Sequence, residues 1–168
     1  MTLGSLTINK PITVFGSNNS LSLSSDSDLT LINVLRAPGN INLVALKGTL
    51  TISNSANSAA GNIVVRSHHL LNQVGADVFS VANGRYWQVW SNNTDPFNSD
   101  LSIGEMTAGL NNDYKQYNAV YGANLALGTG NGLLYSYAPI VSVGLAGSVS
   151  KEYDGYRTVP ALIDANFT

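Results

Sequence analysis

Cysteine is absent from the 168 residues of this chain, so disulfides, thiolate zinc sites and thiol catalysis are all excluded. The absence suits export, where stray thiols oxidise, and is also common in cytosolic proteins. Charge is scarce as well. Asp, Glu, Lys and Arg make up 11% of the chain, against roughly a quarter in ordinary globular proteins. The 8 Lys and Arg are scattered singly and the net charge is −2, which leaves no footprint for nucleic acid or an anionic membrane surface. No apolar run approaches the ~18 residues of a membrane helix. Met1–Lys10 has neither the basic start nor the apolar core of a signal peptide. If the protein is exported, the expectation is that this sequence belongs to a longer parent that carries the address.

Aromatic rings are nearly missing from the first half. Before Gly84 only Phe15 and Phe79 occur, whereas both tryptophans and all 8 tyrosines lie between Gly84 and Tyr156. Large rings bury much area, and the Tyr hydroxyl and Trp N–H still need partners. Such a block after a ring-poor region implies a change of architecture near Gly84.

Ser, Thr, Asn and Gly supply most of the polarity. In residues 1–83 they alternate with apolar residues in Leu6-Thr7-Ile8, Leu21-Ser22-Leu23, Leu29-Thr30-Leu31, Ile41-Asn42-Leu43, Leu50-Thr51-Ile52 and Ile63-Val64-Val65. A period of two predicts strands with one face in a core and one toward solvent. Turn formers separate them, at Gly16–Asn19, Pro38-Gly39-Asn40, Lys47-Gly48 and Gly61-Asn62. Leu29 to Leu50 spans 21 positions, Leu21 to Ile41 spans 20 and Ile41 to Ile63 spans 22. A recurrence near 21 residues lies in the range of stacked repeats and matches one turn of a parallel β-helix. An antiparallel sandwich with strands every 8–12 residues is the competing architecture. The repeat favours the solenoid, with Leu29 stacked in parallel on Leu50.

Beyond residue 83, Gly84–Ser91 reads as a strand with Trp87 and Val89 on one face and Tyr86, Gln88 and Trp90 on the other. Asn92–Asn112 reads as loop. Gly132–Ala138, closed by Pro139, gives another strand signal, and Val141, Val143, Leu145 and Val149 alternate with small residues in the longest one.

Candidate chemistry is thin. His68 and His69 are adjacent, so on a strand they point to opposite faces and chelate one metal poorly. Asp26 and Asp28 share a face, as a carboxylate pair or a Ca²⁺ edge would, but a Ser/Asp-rich turn accounts for them equally, and neither an EF-hand loop nor a calcium nonapeptide is present. Gly128-Thr-Gly-Asn-Gly132 looks like a phosphate loop without its Lys-Ser/Thr or the helix that should follow. There is no Gly-x-Ser-x-Gly elbow. Tyr86, Trp87 and Trp90 could form a stacking platform for sugar, or a plug over the open end of a solenoid core. The sequons at Asn18, Asn92 and Asn166 are what chance gives in so Asn- and Ser-rich a chain. No catalytic residue, metal site or cofactor is expected. A carboxylate-dependent polysaccharide-cleaving β-helix is the weakest reading and a carbohydrate-binding module the stronger alternative to a structural role.

Five ordered motifs carry a family resemblance. They are Asn72-Gln-Val-Gly-Ala-Asp77, GRYWQVWS from Gly84, DYKQYNAVYG from Asp113, GTGNGLLYSYAP from Gly128 and SVSKEYDG from Ser148. Together, over residues 63–168, they resemble the C-terminal region of filamentous-haemagglutinin-like exoproteins, adhesins exported by two-partner secretion in Gram-negative bacteria. The positions that carry the likeness are Gly84, Trp87, Tyr117, Tyr121, Gly122, Gly132, Tyr135, Pro139, Lys151, Tyr153, Asp154 and Gly155. The family usually has Thr-Thr after Tyr-Asp-Gly, where this chain has Tyr156-Arg157. The resemblance implies an all-β chain with right-handed parallel β-helix coils at 1–83, an aromatic β cap or linker at 84–147 and the start of an Ig-like repeat at 148–168. It also implies a secreted or surface location, an outer-membrane transporter as export partner, and adhesion to host cells or glycans. Open β edges would add self-association.

Overall fold

A chain that alternates Leu or Ile with Thr, Ser or Asn must bury one face of every strand, and short strands separated by Gly-Asn turns can do so by stacking coil on coil. That is the outcome in the computed structural model, which describes residues 4–53 and 57–140. The chain divides into two compact units, Met1–Ala138 and Pro139–Thr168, and the architecture below is that of the first. Its strands are β1 (Leu6–Ile8), β2 (Ile12–Thr13), β3 (Leu21–Ser25), β4 (Leu29–Leu31), β5 (Leu35–Ala37), β6 (Ile41–Ile52), β7 (Asn57–Ala59), β8 (Ile63–Asn72), β9 (Phe79–Val81), β10 (Trp87–Ser91), β11 (Tyr114–Gln116) and β12 (Gly132–Tyr135). No helix occurs among the described residues.

Every strand pairing among the described residues is parallel. The larger sheet runs β1-β4-β6-β8-β10-β12-β11, with β3 also on β6, and the smaller runs β2-β5-β7-β9. Each early coil crosses from the larger sheet to the smaller and returns, giving a parallel β-solenoid of about 6 turns. Antiparallel hairpins, the competing expectation, are not found among the described residues.

Leu29 pairs with Leu6 on one side and Leu50 on the other, and Leu50 pairs with Leu70. A second column runs Leu21, Ile41, Ile63, Trp87, and a third Leu23, Leu43, Val65, Val89, Leu133. Leu29, Leu50, Leu70, Ile41 and Ile63 are all fully buried, each contributing about 1.5–3 kcal/mol of transfer free energy. Thr7, Thr30 and Thr51 form the outward column beside them. A slip of one residue would exchange the two columns, so burial fixes the register.

The stack does not stop where the rings begin. Trp87–Ser91 pairs with Ile63–Ser67, and Gly132–Tyr135 then pairs with residues 88–91. Here chain order breaks: β12 lies between β10 and β11, although β11 precedes it in sequence. The smaller sheet was not anticipated, because two-residue β2 and Asn-Ser-Ala β7 carry almost no strand signal. The alternating segment 141–149 and the Ig-like start, including Lys151, Tyr153, Asp154 and Gly155, lie outside the described residues.

Leu50 touches the coil before and the coil after, so Leu50→Ala leaves a cavity that neither can close. The expected loss is about 2–5 kcal/mol, seen as a lower urea midpoint with an unchanged denaturant slope.

Candidate functional site

Two corners of the solenoid concentrate its polar groups. At the first, Ser20 Oγ accepts the Asn40 N–H at 3.0 Å, Asn40 Oδ1 accepts the Asn62 N–H at 2.8 Å and Asn62 Oδ1 accepts the Tyr86 N–H at 3.1 Å. These pairs are 20, 22 and 24 residues apart, one coil each. Beyond Tyr86 the sense reverses. Asn131 Oδ1 accepts the Trp87 N–H at 3.0 Å, and Asp113 Oδ2 accepts the Asn131 N–H at 2.6 Å. The reversal falls where β12 enters the sheet out of chain order. A Cβ on Gly61 would collide with Asn40 Oδ1, so the Gly-Asn pairs leave room for the ladder. The run Gly128–Gly132 serves the same corner: Gly128 and Gly132 lie on the Tyr114 ring and Gly130 against the Asp113 carboxylate. It is a bare surface for those two side chains.

At the second corner the turns differ in length from coil to coil. Asp28 Oδ2 accepts the Ser5 hydroxyl at 3.3 Å and Oδ1 accepts the Thr49 N–H at 2.8 Å. Thr49 Oγ1 lies 3.3 Å from His69 Nδ1, and His69 Nε2 meets the Gly104 carbonyl. A carbonyl only accepts, so Nε2 carries a hydrogen. Asp28 and His69 are thereby rungs of a ladder. His69 is buried and its neighbour His68 exposed, as adjacent strand positions require. Register shifts between Ala45 and Thr49 leave a groove of about 400 Å³ between the Lys47 turn and residues 93–103, with Asp28, Lys47, His68, Asn93 and Ser102 in its lining. Asp26 offers its backbone carbonyl to the Lys47 N–H at 3.2 Å.

The rings are distributed over both faces of the sheet. Trp87, 3% exposed, lies in the main core with its ring 5.8 Å from Phe79. Trp90, 6% exposed, lies on the outer face with Ala119 and Leu134, edge-on to Tyr121 at 5.3 Å. Tyr121 also carries the Arg66 guanidinium 4.1 Å above its ring. Tyr117 stacks on buried Tyr135 at 5.8 Å, and Phe97 closes on Tyr117, Tyr135 and Tyr137. Tyr86 is half-buried. Gly84 and Gly122 hold left-handed turns, at φ 72° and 82°, and Pro139 is exposed. A sugar platform needs free ring faces on one surface, and Trp87 and Trp90 offer none.

One titratable group stands apart. Burial pushes the Glu105 carboxyl up to about 7, against the opposing Ser91 hydroxyl and Leu70 amide. Ser91 Oγ donates to Oε1 at 2.5 Å, while Oε2 and the Ser67 hydroxyl are buried without a hydrogen-bond partner. Burial raises the Tyr135 phenol, helped by the neighbouring Glu105 charge and Tyr117. Among the described residues, no group of three or more His, Asp or Glu side chains is placed to hold a metal.

The chain matches no family model, no curated protein and no solved structure.

The sequence marks Asn40 and Asn62 as turn formers and Asn131 as part of a glycine run, but not as members of a ladder with Ser20 and Asp113, although Gly-Asn recurs at Gly39-Asn40, Gly61-Asn62 and Gly130-Asn131. Glu105 had no signal at all. Asn62→Ala strands the Tyr86 N–H and is expected to cost about 1–3 kcal/mol. Asn62→Asp keeps the acceptor and is expected to retain most of that stability. Urea unfolding of the two variants provides the comparison.

Proposed function

We propose that the chain is a structural, non-catalytic section of a secreted or surface-displayed adhesin, exported as part of a longer protein through an outer-membrane partner. The observation that carries the structural part is the unbroken column of parallel rungs with side-chain ladders at its corners. Such a column gains length by repeating one coil and resists extension along its axis through many short hydrogen bonds. Asp28 and His69, an acid and a base in the lining of the groove, are both tied into a ladder. That arrangement supports a scaffold over a hydrolytic site. The adhesive part rests on the five ordered motifs from Asn72 to Gly155, and host-cell or glycan surfaces are the partners that the resemblance suggests.

Force spectroscopy on a chain tethered at both ends tests the structural role. Coils of about 21 residues should release one after another in steps of roughly 7 nm; unravelling in a single event at negligible force would contradict it. Beads coated with the chain should adhere to cultured cells above albumin-coated beads, and equal adhesion would remove the adhesive part.

A further inference from the structure

One stretch of chain leaves the stack and is sewn back onto it. After Ser91 the excursion 92–104 runs outside the coils and returns at Glu105 and Met106. Met106 makes an isolated parallel bridge to Leu71. Its N–H donates to the Leu70 carbonyl at 3.0 Å, and its carbonyl accepts the Asn72 N–H at 2.8 Å. Just before it, the Gly104 carbonyl accepts from His69. Gly104, Glu105 and Met106 are therefore the seam that closes the excursion on β8.

Glu105 turns its carboxyl inward from this seam. Oε1 takes the Ser91 hydroxyl, while Oε2 is buried with no partner. Ser67 is the register partner of Ser91 on the next strand, and its buried hydroxyl also lacks a partner. An ionised carboxylate with one oxygen desolvated and unpaired is costly. A neutral carboxyl takes the charge off that buried oxygen.

We propose that Glu105 is a proton-operated latch, which holds the excursion 92–104 against β8 and β10 when protonated and drives the seam open when ionised. Titratable groups around it reinforce that sense. Tyr135 on β12 and Tyr117 after β11 are phenols, and the ring nitrogens of His69 on β8 are taken up by Thr49 and the Gly104 carbonyl. Strand β10 contributes no titratable group. The excursion itself carries Asp95 and Asp100, both acids, which accept hydrogen bonds from Asn98 and Ser102. Among the described residues, no cation offsets the burial that raises the Glu105 carboxyl.

The sign follows from that raised value. A folded-state acid above its ordinary 4.5 and near 7 binds more protons closed than open, so the closed seam is favoured at low pH and loses that advantage as pH rises through neutrality. Asn93, Thr94, Ser102 and Ile103 on the excursion form one wall of the large groove. That wall is fixed in mildly acidic surroundings and released in alkaline ones.

Hydrogen exchange of the whole chain, corrected for intrinsic rates, tests the latch. Between about pH 5.5 and pH 8.5 the amides of 104–106 should lose protection by about thirtyfold in the wild type, while those of β4 and β6 stay protected. Glu105→Gln, neutral at both pH values, should keep the seam protected throughout. An equal loss in Glu105→Gln would overturn the proposal. Should that variant fail to fold, carbon-13 titration of the Glu105 carboxyl in the wild type decides: a midpoint near neutrality supports the latch, and one in the ordinary carboxylate range rules it out.

Discussion

Leu29 sits between Leu6 and Leu50 because the parallel hydrogen-bond register between coils leaves it nowhere else to go. That register places every other side chain. It puts Ile41 on Leu21, Ile63 on Ile41 and Trp87 on Ile63, so the core is a set of columns in which each residue is buried by its equivalents one coil away. The apolar columns hold the register, since a single-residue slip would send Leu and Ile outward and Thr and Ser inward. The hydrogen bonds in turn make the columns straight enough to pack.

Corners carry a different load. A turn exposes backbone N–H groups that no neighbouring strand satisfies. Ser20, Asn40 and Asn62 answer this by lending a side-chain oxygen to the next coil. Asn131 and Asp113 lend theirs in the opposite sense, once the chain has overshot to β11 and come back as β12. The aromatic block belongs to this final part of the stack. Trp87 continues an interior column, while Trp90, Leu134, Ala119 and Tyr121 build a second small core on the outside of the sheet. Rings on both faces of one strand thus mark a sheet covered twice.

How much of this was legible follows from which signals are periodic. Leu, Ile and Val at 20–22 residue intervals specify the larger sheet, because burial recurs with the coil. The two-faced reading of residues 84–91 also follows from alternation alone. The smaller sheet was invisible: Asn57–Ala59 is a strand only because Arg36–Ala37 and Phe79–Val81 flank it. The reversed insertion of β12 depends on contacts between residues 44 positions apart, which no local pattern encodes. Glu105 was silent for a related reason, since its burial comes from the excursion that carries it. Trp87 and Trp90 fall on opposite faces, as alternation gives, and both rings are buried.

The absence of cysteine allows the register itself to be read by cross-linking. Ser22 faces Asn42 across the β3–β6 pair, and parallel neighbours have Cα atoms about 4.8 Å apart, within the range a disulfide spans. The double variant Ser22→Cys/Asn42→Cys should oxidise rapidly to an intramolecular disulfide, whereas Ser22→Cys/Val44→Cys, offset by two positions, should not. Faster closure of the offset pair, or closure of neither in the folded protein, would contradict the stacked parallel register.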